Sequence, residues 1–250
     1  MEWVDLTAGA LVWLSLAVCL ASLISSVTGM AGGVLMFAAM SVCLPLRVLV
    51  PIHGAVQVVN NAARSWFLRG HIRWRMCLPF ALGAALGATL TTLFIVRYVG
   101  EFFPLLLLVG LILYTLFKPK HLPDLRIPDG AFFWVGIVTG CMGILVGAID
   151  PLLGVFFLRD DLSKQEVVSN KSLMQMFTHL TKIPAYLYLG FSFLDNAALI
   201  LVLTLAAVVG ARLGVFLLHR VSTRAFFQLM RVALALAALR IIYQLAQMGV

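Results

Sequence analysis

The sequence predicts an all-α polytopic membrane protein made of two inverted-topology repeats of about five helical segments each, with a broken or re-entrant hairpin opening each repeat. Three observations carry that prediction. Of 250 residues, 62% are hydrophobic and 11% charged, with a mean hydropathy of +1.05, far from the roughly 25% charged composition of soluble domains. The apolar residues fall in runs, several of them long enough to cross a hydrocarbon core of about 30 Å. The second half of the chain also repeats the glycine and polar pattern of the first at a fixed offset.

Taken in order, the first run, 6–27, is preceded by Glu2 and Asp5 where a signal peptide would be basic, and stays apolar for about 20 residues. It is expected to span the bilayer uncleaved. It ends in 26–35, SVTGMAGGVL, where Gly29, Gly32 and Gly33 each give up about 1 kcal/mol of helix propensity. A glycine-rich turn can unwind, and in a bilayer unwound backbone is tolerable only where protein or water covers it. A binding site is therefore expected at the break. The next run, 34–44, would rise only about 17 Å as a helix, so it pairs with its predecessor as a hairpin. Runs 49–68, 76–96 and 102–117 complete a first repeat, 1–117. Residues 118–130, KPKHLPDLRIPDG, form a linker with three prolines and mixed charge. The second repeat, 131–250, holds runs 131–147, 151–158, 167–189, 195–218 and 224–247, and its short member 151–158 again follows a glycine-containing break.

A shift of 118 positions lays Gly29 on Gly147, Val50 on Val168, Gln57 on Gln175 and Arg64 on Lys182 without a gap. Further on, the small-xxx-small pair Gly83/Gly87 corresponds to Gly210/Gly214, and such pairs suit close helix packing. Basic residues set the orientation. Arg69, Arg73 and Arg75, then Lys118, Lys120 and Arg126, then Arg159 and Lys164, then Arg220 and Arg224 fall in four loops, while Arg47 and Arg97 lie in the alternate ones. Excess Lys and Arg marks the cytoplasmic side. If each hairpin returns to its own side, both termini face outward and the repeats are inverted. Binding sites of such folds lie near mid-membrane at the repeat interface.

After each hairpin comes a helix with a polar row. His53, Gln57, Asn60, Asn61 and Arg64 fall within about 100° of arc, and Lys171, Gln175, Thr178, His179 and Lys182 take equivalent positions. Such rows are costly facing lipid, and ionisable residues within a membrane usually line a pathway. They offer donors and cations without a carboxylate, so an anion is the complementary ligand. Interhelical hydrogen bonding is the structural alternative for each amide, and snorkelling to an interface is the alternative for Arg64 and Lys182. His53 and Lys171, near the opposite helix ends, are candidates for a vestibule or for ion coupling. Free N–H groups at the start of a half-helix attract anions, which adds Gly32, Gly33 and Val34, with the Ser26 and Thr28 hydroxyls nearby. In the second copy Asp150 precedes Pro151, a helix-start signal. Asp150 is read either as a cap or as a carboxylate that neutralises Lys171 or carries a coupling proton.

The TGMAGGVL break, the segment VPIHGAVQVVNNAARSWFLRGHIRW and the weaker second copy GAIDPLLGVFFL with NKSLMQMFTHLTKIPAYLY resemble the sulfite exporter TauE/SafE family of membrane anion permeases. The resemblance covers most of the chain. It implies a carrier of sulfite, organosulfonates or related small oxyanions in the bacterial inner membrane. The chain departs from the family's GxGGG pattern at Ala31, and in the second copy at Ile149, Asp150 and Pro151.

The expectation is a secondary transporter working by alternating access, with a passive anion channel as the alternative. Substrate-binding candidates are Gly32, Gly33, Val34, Gln57, Asn61, Arg64, Gln175, His179 and Lys182; coupling or vestibule candidates are His53, Asp150 and Lys171. Partners are the anion, the lipid bilayer and a coupling proton or sodium ion. No ATP-binding loop, metal-ligand spacing or nucleophile elbow is present in the sequence, so no cofactor, metal or catalytic residue is expected. The net charge of +8 sits in short loops, which is membrane topology and not nucleic-acid binding. Cys19, Cys43, Cys77 and Cys141 stand singly in apolar runs and read as inert thiols. An inside-negative potential opposes anion entry by about 2.3 kcal/mol per charge at 100 mV, so export is the easier direction and uptake requires coupled cations.

Overall fold

The computed structural model describes residues 7–95, 102–117, 127–145, 150–159, 161–188 and 190–248. Among them there is no strand. The helices are α1 (Ala8–Thr28), α2 (Gly32–Met40), α3 (Leu46–Phe67), α4 (Trp74–Leu90), α5 (Phe102–Phe117), α6 (Phe132–Leu145), α7 (Asp150–Phe157), α8 (Lys164–Leu180), α9 (Ile183–Tyr188), α10 (Ala197–Arg220) and α11 (Thr223–Met248). Several expectations lie outside the described residues: Glu2, Asp5 and both chain ends, Arg97, the linker's Lys118, Lys120 and Arg126, and Gly147 and Ile149 of the second break.

The Thr7 hydroxyl caps α1 by accepting from the Ala10 N–H (3.2 Å), and Gly29 ends it at φ +70°. Two residues on, Ala31 also takes φ +70°, the one non-glycine among the described residues with positive φ. That conformation costs an L-residue about 1–2 kcal/mol. It turns the chain sharply into α2. At Gly32 a Cβ would meet Ser25 Cβ at 2.2 Å and the Ala21 carbonyl oxygen at 2.6 Å, so α2 folds back along α1 as a tight hairpin. The helix of α2 rises only about 14 Å.

Glycines also fix how the longer helices pair. A Cβ on Gly83 or Gly87 would lie 2.0 or 2.2 Å from the carbonyl oxygens of Phe133 and Ile137, and one on Gly210 or Gly214 would lie 2.1 or 2.6 Å from those of Cys19 and Leu23. So α4 runs parallel to α6 and α10 parallel to α1, backbone against backbone. The two polar-row helices, α3 and α8, cross antiparallel between these pairs: His53 faces His179 (6.0 Å between rings), and the Ser65 hydroxyl donates to the Ser169 carbonyl (3.2 Å).

Helices α1, α10 and α11, together with α4 extended by a π-helical turn to Phe94, are long and apolar enough to cross a membrane. Their outward faces expose Leu16, Leu20, Leu82, Leu201, Leu205, Val209, Leu236 and Leu239. One core gathers Phe80, Phe132, Phe157, Phe226 and Met230, and the other Leu14, Val18, Met36, Met40, Leu49, Ile52 and Leu203.

The run 167–189 is not one helix. It breaks at Thr181–Lys182 into α8 and α9, so the described residues after 131 form six helices where five segments were expected. Pro184 supplies the reason: it lacks an N–H and disfavours the helical region for the residue before it, so it is accommodated in the first turn of α9. The Thr181 and Lys182 N–H groups close the end of α8 on Phe177 (3.1 Å) and His179 (3.1 Å).

Candidate functional site

Along α3, successive turns place His53, Gln57, Asn60, Asn61 and Arg64 on the face turned toward α1, α2 and α8. Gln57, Asn60, Asn61 and Arg64 are each 1–3% exposed, so the row lies inside the protein and not against lipid. The side chains order one another. Asn61 donates to the Gln57 carbonyl (2.8 Å), Asn60 donates to Gln57 Oε1 (3.1 Å), and the Ser22 hydroxyl of α1 points at Asn60 Oδ1 (2.5 Å) and the Ala207 carbonyl (2.7 Å). The Arg64 guanidinium donates to Ser25 Oγ and Asn61 Oδ1, while its Nε is buried without a partner. Arg64 is therefore turned into the protein, and the snorkelling alternative does not describe it.

His53 Nε2 lies 3.0 Å from the Gly33 carbonyl, which can only accept, so this nitrogen carries the hydrogen. The Gln57 amide nitrogen, 3.4 Å from the same atom, then meets a second donor. Its own protons are left for another acceptor.

The second row converges from α8. Lys171 is 1% exposed and pairs with Asp150 while donating to the Gly29 carbonyl at the first break (2.6 Å). The helix it sits on is buried along this stretch. Gln175 donates to the same Asp150 oxygen (2.9 Å), and the other carboxylate oxygen accepts from the Ala31 N–H (2.8 Å) at the start of α2. Asp150 therefore binds across to the first hairpin and to α8. Among the described residues its carboxylate makes no bond to the first turn of α7, and it is ion-paired to Lys171. One turn further on, His179 is 7% exposed with Nδ1 buried and unpartnered, and Lys182 is 8% exposed with no partner for its ammonium among the described residues. Lys182 and Arg64 act electrostatically on His179, and Lys182 on His53.

The structure thus brings Gln57, Asn61, Arg64, Gln175, His179, Lys182, His53, Asp150 and Lys171 into one buried polar cluster. Gly33 joins it through its carbonyl, and a Cβ there would meet Gln57 Nε2 at 2.7 Å. Gly32 and Val34 stand beside it in the first turn of α2, whose N–H groups have no acceptor within the helix. The Ser26 and Thr28 hydroxyls do not reach it; they are spent on the Ser22 (3.0 Å) and Ile24 (2.9 Å) carbonyls. Ser22 and Ser25 are members that sequence reading passed over. Their signal was two hydroxyls three residues apart on one face of an apolar helix. Charge sets what the cluster can hold. It contains three cations, Arg64, Lys171 and Lys182, against one carboxylate among the described residues, Asp150. Two positive charges are left uncompensated in a buried place, and an anion with acceptor oxygens is the chemical complement.

A family model described as sulfite exporter TauE/SafE matches residues 14–241, from within α1 to the last turns of α11. No curated protein and no solved structure matches the chain.

Proposed function

The chain belongs to the sulfite exporter TauE/SafE family of membrane transporters, and from that premise we propose that it carries a small oxyanion, such as sulfite or an organosulfonate, by alternating access. The observation that carries this reading is a buried cluster with three cations, Arg64, Lys171 and Lys182, against one carboxylate among the described residues, Asp150. An uncompensated buried cation costs several kcal/mol, so evolution keeps it where a counter-charge arrives. Gln57, Arg64, His179 and Lys182 hold the anion in this reading, and the first turn of α2 from Gly32 to Val34 supplies backbone donors. Gln175 and Lys171 act through Asp150.

Two inverted repeats supply the moving parts. In support, α2 and α7 begin 118 residues apart, as do α3 and α8, matching the offset of the polar rows. The partners cross over as well: α1 lies on α10 as α6 lies on α4, each pair parallel. We place the protein in the bacterial inner membrane with both termini outward, driven by the membrane potential or by a coupled proton or sodium ion.

Purified protein in proteoliposomes tests the proposal. Radiolabelled sulfite or methanesulfonate flux that saturates and shows counterflow is expected, and Gln57→Ala is expected to lower it at least tenfold. Flux that fails to saturate assigns a channel. No flux of any oxyanion refutes the reading.

A further inference from the structure

We propose that the anion rests at one end of the antiparallel α3/α8 pair, in a seat formed by Gln57, His179 and Lys182 and completed by Tyr186 of α9, whose hydroxyl donates to it. The inference rests on the transport reading above and narrows it: of the residues assigned to the anion there, Arg64 lies at the other end.

The antiparallel crossing sets the two ends. His53 faces His179, with 6.0 Å between rings, while Ser65, next to Arg64, bonds to Ser169. Arg64 lies eleven residues along α3 from His53, about 16 Å at the helical rise. Lys182 lies three residues beyond His179 in the opposite sense, so about 20 Å separates the levels of the two cations. One small oxyanion does not bridge them.

The Arg64 end already holds a carboxylate. Asp150 pairs there with Lys171, accepts from Gln175 (2.9 Å) and the Ala31 N–H (2.8 Å), and acts electrostatically on Arg64. The guanidinium itself donates to Ser25 and Asn61. At the His53 end donors gather without an acceptor. The Gln57 amide nitrogen lies 3.4 Å from His53 Nε2, which donates to the Gly33 carbonyl, so the amide protons find no taker in that ring. His179 Nδ1 is buried without a partner in a residue only 7% exposed. Lys182, 8% exposed, has no partner for its ammonium among the described residues and acts electrostatically on both imidazoles.

The break at Thr181–Lys182 supplies the fourth member. Beyond it the Tyr186 N–H closes on the Lys182 carbonyl (3.2 Å), and the Tyr186 ring lies against the residue next to His53, where a Cβ on Gly54 would meet Tyr186 Cε2 at 3.4 Å. Phe37 of α2 covers the same imidazole edge-on, with 5.3 Å between centroids. Tyr186 is half-buried, and its hydroxyl has no partner among the described residues. A phenol O–H beside an amide, an imidazole and an ammonium adds a donor to an oxyanion, and hydrogen bonds to an ionised acceptor are the strong ones.

The test uses the full chain in lipid nanodiscs, in gluconate buffer, with methanesulfonate and sulfite as probes in titration calorimetry. Tyr186→Phe removes one oxygen and keeps the ring, and it is expected to weaken both probes about tenfold with Tm changed by no more than a few degrees. Lys182→Gln is expected to weaken them at least tenfold. Residues that touch one ion couple, whereas residues far apart with no shared partner act independently. Tyr186→Phe/Lys182→Gln is therefore expected to lose less than the product of the single losses, and Arg64→Lys/Lys182→Gln is expected to lose that product. Nitrogen NMR of ring-labelled histidine is expected to show the His179 signal moving when methanesulfonate is added. Wild-type affinity in Tyr186→Phe, coupling between Arg64 and Lys182 as strong as that between Tyr186 and Lys182, or an unmoved His179 signal at saturating probe overturns this seat while leaving transport standing. If neither probe binds the wild type, the transport reading falls and this inference with it.

Discussion

Replacing Gly83 by alanine is expected to weaken the protein by driving α4 and α6 apart. The added Cβ would sit 2.0 Å from the Phe133 carbonyl oxygen and 2.9 Å from its carbonyl carbon. Both are backbone atoms of a helix, which cannot turn aside as a flexible side chain would. Reaching even a close contact of about 3 Å requires the helices to separate by about 1 Å, and a gap of that size forfeits a quarter to a half of each dispersion contact it opens. In a bilayer these contacts are what holds helices together, since lipid supplies no hydrophobic drive between them. Alanine's better helix propensity returns about 1 kcal/mol. The net loss is expected to be about 1–3 kcal/mol, read as a fall in Tm of about 3–10 °C by the scaling known for soluble chains of this size. Thermal unfolding of the detergent-solubilised protein measures it, with Gly110→Ala as the control, because nothing lies within 4 Å of a Cβ on Gly110. Gly210→Ala meets the Cys19 carbonyl oxygen at 2.1 Å and is expected to behave as Gly83→Ala does. A Gly83→Ala protein that melts with the Gly110→Ala control refutes the close packing of these helices.

Three further outcomes follow from single contacts. Ala31→Gly removes a left-handed conformation worth about 1–2 kcal/mol, partly offset by glycine's greater freedom when unfolded, so Tm is expected to rise slightly, whereas Ala31→Val is expected to lower it. Gly33→Ala forces the Gln57 amide to move from 2.7 Å, so anion affinity measured by calorimetry is expected to fall at least tenfold with Tm changed by no more than a few degrees. Arg64→Lys keeps the charge but loses the planar fork that spans Ser25 and Asn61; flux in proteoliposomes is expected to drop at least tenfold, and retention of full flux would show that charge alone suffices there.

The placement of segments was legible because it rests on local signals. Run lengths, the glycine cluster at 29–33 and Pro151 mark where helices start and stop, and the structure begins α2 at Gly32 and α7 at Asp150 within that pattern. The inward turn of the polar rows was also legible, since hydrocarbon leaves amides and cations no other affordable place. The split of 167–189 was harder to see, because an apolar run reads the same across a proline that a following helix accommodates in its first turn.

Residue order alone marks this chain as a bundle of membrane helices with two interrupted segments, and its polar rows as rich in donors and cations. Hydropathy and helical periodicity act over one or two turns, and both survive in any order of packing. Which partner each charge takes depends on how the helices pack. The Asp150 carboxylate meets the Ala31 N–H across 119 positions of sequence, and Lys171 meets the Gly29 carbonyl across 142. Those distances are set by helix packing, where a shift of one turn moves a side chain by about 5 Å. That is why a residue with the sequence signal of a cap is an ion-pair partner, and why Lys171 is the cation it holds.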